Sequence, residues 1–179
     1  VNVSCAANVP TPNPGSVAAS TNCGIPSVNV TFGGDIISNQ TCANKYTITR
    51  IYNATDMCGN TASCAQIITV NDSTAPTIAC PAPVTVSCAS LVPPPNPGSI
   101  TATDNCSGTA TVTFVSDVIS NQTCANKYTI TRTYLATDIC GNTATCTQII
   151  TVNDATAPTI TCPAPVTVSC ASLVPPPNP

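Results

Sequence analysis

The stretch YTITRTYLATDICGNTATCTQIITV, Tyr128 to Val152, decides the fold. It is rich in Thr, Ile, Val and Tyr, and it breaks once, at Asp138-Ile-Cys-Gly-Asn142. Two runs of β-formers around an Asp/Gly/Asn cluster read as a hairpin. The side-chain period of a strand is two, so Tyr128, Ile130, Tyr134 and Ala136 share one face, and Ala144, Cys146, Ile150 and Val152 share one face of the returning strand. Arg132 falls on the apolar face. Its stem is expected to pack between tyrosines while its head reaches solvent or a carbonyl.

Upstream of the hairpin the same reading gives more short strands: Val84–Cys88, Ser99–Thr103, Thr109–Phe114 and Val115–Ile119. Pro93–Pro97 is a rigid extended link that cannot join a central strand. There is no helical periodicity. The fold class predicted is all-β, as tandem disulfide-stapled immunoglobulin-like β-sandwiches.

The tandem arrangement comes from the sequence repeating itself. Cys42, Cys58, Cys64, Cys80 and Cys88 recur as Cys124, Cys140, Cys146, Cys162 and Cys170, each shifted by 82, while Cys5 and Cys23 recur as Cys88 and Cys106, shifted by 83. Self-similarity at such a period marks an array of one structural unit. The predicted organisation is a first repeat at 1–72, which lacks its Cys-Pro segment, a second at 73–154, and the start of a third repeat, or a tail joining the next unit, at 155–179. Val1 is in phase with Val84 and Val166. The expectation is a window on a longer array, or one protomer whose tail engages the next.

Composition narrows the chemistry. Aromatic residues are 3% of the chain, with no Trp, so each core is thin, and thirteen cysteines offset this. Their spacings of 18, 19, 16, 6, 16 and 8, with no His, do not suit zinc, which favours close Cys pairs. Disulfides and an oxidising, extracellular compartment follow. Charged residues are 6% of the chain and the net charge is −3, which excludes a basic nucleic-acid face. The absence of His and Glu leaves almost no candidates for acid–base chemistry, so no enzyme is expected. No apolar run approaches the length of a membrane span. Glycosylation sequons occur at Asn2, Asn29, Asn39, Asn53, Asn71, Asn105 and Asn121.

Cys-Pro near the start of the unit, Asp-Asn-Cys midway, Ala-Thr-Asp-x-x-Gly-Asn at the hairpin and Cys in the final strand resemble the HYR (hyalin repeat) family, most closely its Cys-rich relatives in tandem arrays on secreted bacterial proteins. The resemblance implies an immunoglobulin-like fold and an adhesive or structural extracellular role, with no catalytic residues to carry over. The extra cysteines, and Arg132 where the family has an apolar residue, depart from it.

Six cysteines per unit allow 15 pairings, and the sandwich topology narrows them. With the hairpin end as the top, Cys80 and Cys146 lie near the top, Cys88 and Cys124 at the bottom, and Cys106 and Cys140 in top loops. The predicted pairs are Cys80–Cys146, Cys88–Cys124 and Cys106–Cys140, and by repetition Cys5–Cys42 and Cys23–Cys58. A Cys140–Cys146 bond is disfavoured because the turn would set Cys146 opposite Ala136. Cys64, Cys162 and Cys170 are left for bonds between units. The linker Val70–Pro76 leaves the bottom of one unit for the top of the next, bringing Asp72 toward Asp104 and Asp138. Three carboxylates there make a candidate calcium site, beside the plain alternative of turn chemistry. No cofactor is required. The partners expected are neighbouring repeats or subunits in a polymer. The expected function is a structural segment of an extracellular fibre or filament, with a cell-surface adhesin stalk as the alternative.

Overall fold

The computed structural model describes residues 1–22, 28–106, 108 and 110–176. The chain is all-β. In the first repeat, β1 (Asn2–Val3), β2 (Asn29–Cys42), β3 (Lys45–Thr55) and β4 (Thr61–Asn71) form one sheet in the order β1-β4-β3-β2. In the second repeat, β5 (Thr77–Ile78), β6 (Val84–Val86), β7 (Ala102–Thr103), β8 (Thr111–Cys124), β9 (Lys127–Thr137) and β10 (Thr143–Asn153) form two sheets. These are β6-β10-β9-β8 and the small pair β5-β7. In both repeats the first edge strand runs parallel to the last strand, and the other pairings are antiparallel.

The predicted hairpin is β9–β10. Its turn places Gly141 at φ 87°, a left-handed conformation that glycine adopts without the penalty of a Cβ. Register runs Thr143↔Thr137 to Asn153↔Lys127, so Cys146 sits opposite Tyr134 and not Ala136 as expected; Ala144 takes that place. Ile130, Tyr134 and Ala136 are buried on one face with Cys146, Ile150 and Val152, which is the stripe the alternation predicts.

Two expected strands, Thr109–Phe114 and Val115–Ile119, are one. β8 is continuous, with a bulge between Phe114 and Ser116 that leaves Val115 outside the ladder. One extra residue reverses side-chain parity, and the sequence presents that reversal as a boundary. The expected Ser99–Thr103 strand shortens to Ala102–Thr103 behind a 3-10 turn at Pro97–Ser99.

Arg132 is 3% exposed, and of the two expected destinations for its head, solvent or a carbonyl, it takes the carbonyl. Nη1 donates to the Pro93 carbonyl at 2.7 Å, Nε and Nη2 grip the two oxygens of Asp117 at 2.9 and 2.8 Å, and the guanidinium lies 6.0 Å from the Phe114 ring centroid. Arg50 repeats the clamp on Pro10, Asp35 and Phe32. The proline link, which lacks ladder partners of its own, is thus pinned to the sheet. Charge-assisted forks of this kind are the strong class of hydrogen bond.

Candidate functional site, the joint between the repeats

The two repeats meet end to end and are sewn together there. Cys5 bonds to Cys106 with a Cα–Cα distance of 5.0 Å, and Cys42 bonds to Cys140 at 5.3 Å. Both disulfides join the lower end of the first repeat to the upper end of the second. The expected pairs Cys5–Cys42 and Cys106–Cys140 are therefore corrected, although the same four cysteines are used. Sheet order gives the reason. Cys5 follows β1 and Cys42 closes β2, the two opposite edges of a four-stranded sheet. Three strand spacings separate those edges by about 14 Å, whereas a disulfide needs Cα atoms within about 7 Å.

The expected pair Cys88–Cys124 is corrected on the same ground. Cys88 follows β6 and Cys124 closes β8, again opposite edges, and both are free thiols. Cys80 and Cys146 do come together, as neighbouring thiols. Burial pushes the Cys146 thiol up to about 12, with the Cys80 side chain adding to the rise. Cys23 lies outside the described residues, so the expected Cys23–Cys58 pair does too; Cys58 is exposed. Cys64, Cys162 and Cys170 are exposed free thiols.

Around the disulfides the joint is closely hydrogen-bonded. Asn44, 5% exposed, accepts from the Ala6 N–H at 2.8 Å and donates across the joint to the Cys106 carbonyl at 3.2 Å. The Asp72 N–H donates to the Asn44 carbonyl at 2.9 Å, and the Asn142 amide donates to the Asp72 carbonyl at 3.3 Å. Asn44 was missed as a brace. Its signal was the repeated Cys-Ala-Asn-Lys turn, which follows directly on a joint cysteine.

Of the three expected carboxylates, two converge. Asp72 and Asp104, with the Cys106 sulfur, place ligand atoms within 4.8 Å of one another. Asp72 Oδ2 and Asp104 Oδ1 are buried with no hydrogen-bond partner among the described residues. Asp138 is spent elsewhere: its oxygens accept from the N–H groups of Cys140 and Asn142 and from the Asn142 amide, all at 2.8 Å. Burial would raise its pKa, but the Asn142 and Cys140 bonds outweigh it and hold the carboxyl below its ordinary value.

Half of this joint is already built at each outer end of the chain. Below the second repeat, Asn126 accepts from Ala89 N–H and its carbonyl accepts from Asp154 N–H, both at 2.9 Å, as Asn44 does with Ala6 and Asp72. Above the first repeat, Asp56 accepts from Cys58 N–H, Asn60 N–H and the Asn60 amide, as Asp138 does in its turn. Each half forms within its own repeat.

Residues 76–152 match the family model of the HYR-like domain with 4 cysteines. The matched span is the second repeat, which carries six cysteines. No curated protein matches the chain.

Proposed function

We propose that the chain is a structural segment of an extracellular fibre or filament, built from immunoglobulin-like units locked end to end by paired disulfides. One observation carries the reading: the joint is closed twice, by Cys5–Cys106 and Cys42–Cys140, and its two halves recur at the outer ends. A double covalent closure fixes both position and rotation of one unit on the next, which serves load transmission. The HYR-like match of the second repeat supports an extracellular repeat of the adhesive or structural kind. The thiol density supports a secreted location. No described helix is long and apolar enough to cross a membrane. Electron microscopy of native material tests the proposal. Uniform filaments with an axial period near 40 Å, about the length of an 11-residue strand plus a turn, are expected. Single cell-anchored chains ending in a distinct tip domain would favour the adhesin stalk instead.

Calcium at the joint is the second part of the proposal. Two carboxylate oxygens, Asp72 Oδ2 and Asp104 Oδ1, are buried with no hydrogen-bond partner among the described residues, and buried polar atoms are costly unless something compensates them. Calcium would take these oxygens and complete six to eight ligands with carbonyls and water. Cys106 is spent in its disulfide and supplies no thiolate. The ion would neutralise the pair and stiffen the linker. Added calcium is expected to raise the melting temperature of the wild-type chain, and Asp104→Asn to remove that increment. A melting temperature indifferent to calcium and to chelator would overturn the calcium reading.

A further inference from the structure

The first repeat carries an open groove where the second is filled. In the second repeat, Ile78 packs against Ile100, Tyr134 and Cys146, and against Ala102, Ala110 and Ala136. β5 pairs there with β7, and the Gln148 amide donates to the Ala82 carbonyl at 2.9 Å. The counterparts of those six packing residues are Val17, Tyr52, Cys64, Ala19, Val28 and Ala54, and all six line one groove of about 460 Å³ at the Asp56–Asn60 end of the first repeat. Among the described residues nothing takes the place of Ile78. The consequence is visible in burial: Cys146 is 9% exposed, whereas Cys64 is exposed. What fills the second groove is β5, the strand that carries Ile78.

The chain holds one more copy of that filler. Pro158-Thr-Ile-Thr-Cys-Pro163 repeats Pro76-Thr-Ile-Ala-Cys-Pro81 with a single change, and Ile160 is 89% exposed. Its own groove is out of reach. From Asn153 to Ile160 the backbone spans at most about 25 Å, while the groove lies two sheets away, each about 37 Å long. We propose that Pro158–Pro163 of a second copy of this chain docks into the groove as an added strand. Ile160 seats among Val17, Val30, Tyr52 and Cys64, and Cys162 faces Cys64 as Cys80 faces Cys146. Main-chain pairing with side chains in alternate pockets is a general mode of peptide capture. Because Val1–Val3 already holds the edge beside β4, the donated segment ends near Pro165 and the residues beyond it leave the sheet. The same docking sets Cys124 of the donor against Cys58 of the acceptor, the repeat counterparts of Cys42 and Cys140. This deepens the polymer reading by giving it an end-to-end contact between chains.

The contact becomes covalent by oxidation with a disulfide oxidant. Cys64 and Cys162 thiols react with oxidised glutathione to give one Cys64–Cys162 disulfide and two molecules of reduced glutathione, so two electrons and two protons pass to the oxidant. The test mixes isotopically heavy and light copies of the full chain in a glutathione redox buffer, then digests them without reduction. Cys64–Cys162 peptides are expected to dominate the linkages of Cys162, with mixed-label peptides among them in the statistical share for links between two chains. Ile160→Asp, which keeps both thiols, is expected to cut their yield about tenfold or more by denying the apolar seat, while Ile160→Val retains them. Cys162 found equally on Cys58, Cys88 and Cys124, an Ile160→Asp yield unchanged, or Cys64 and Cys162 left unlinked would each overturn the docking. None of these outcomes bears on filaments formed by peptide continuation, which microscopy decides separately.

Discussion

Pulled from its two ends, the oxidised chain stops short, and full chemical reduction lengthens it by about 350 Å at roughly 3.5 Å per residue. The length comes from topology. The Cys5–Cys106 bond spans a sequence separation of 101, and Cys42–Cys140 spans 98. Tension passing from Val1 reaches Cys5, crosses to Cys106 and bypasses almost the whole first repeat. With Cys5 removed, it crosses at Cys42 to Cys140 and bypasses nearly as much. The bonds are therefore redundant for extension. Cys5→Ser or Cys42→Ser alone is expected to change the contour by only a few residues, and the full gain needs both bonds broken. Closing a loop of this size also restricts the unfolded chain, worth about 4–5 kcal/mol in the chain-entropy account. Single-molecule stretching with and without reductant reads the result directly. A stepwise gain, with half the length released by each single substitution, would show that the bonds guard separate loops.

The second large effect is expected at the arginine clamp. Arg132→Met keeps most of the stem but leaves the Asp117 carboxylate and the Pro93 carbonyl without their donor. Removing one partner of a buried pair costs about 3–5 kcal/mol, and Asp117, with its side chain 30% exposed, recovers part of this from water. A loss near 3 kcal/mol is expected, which lowers the melting temperature of a repeat this small by roughly 12 °C or more. Replacing both partners, Arg132→Met with Asp117→Val, is expected to recover most of the loss, because no orphaned charge remains. Thermal unfolding of the three variants checks this. If the double variant were as unstable as the single one, the pinned proline link rather than the charge would be what the clamp protects. In the first repeat, the Arg50 hydrogen bond holds the Asp35 carboxyl below its ordinary value of 3.8. A depressed folded value means the clamp contributes fully above the unfolded value and fades as pH falls through the folded one. Acid below pH 3.8 is therefore expected to weaken it.

The hairpin was legible in the sequence because its strands alternate cleanly and one Asp/Gly turn separates them. The ends of the units were legible too: Cys5 and Cys42 were assigned to the lower end, and Cys106 and Cys140 to the upper. Their partners were not, because pairing depends on sheet order. Parallel pairing of β1 with β4 puts Cys5 and Cys42 on opposite edges, a fact that alternation does not carry. The linker had already placed the lower end of one repeat against the upper end of the next, and the disulfides follow that contact. Asp117 was missed as the partner of Arg132 because the bulge at Val115 shifts the register between them. The corresponding pair in the other repeat, Asp35 and Arg50, has the same separation of 15. Of the acidic residues at the joint, Asp138 misled because its Asp-x-x-Gly-Asn turn satisfies its oxygens locally, which is the ordinary reason for Asp in a turn.

Peptide mapping of the unreduced chain distinguishes a joint closed crosswise from repeats stapled each to itself. Cys5 is expected with Cys106, and Cys42 with Cys140. Recovery of Cys5 with Cys42, or of Cys106 with Cys140, would mean that each repeat is stapled to itself, and would contradict the crosswise joint.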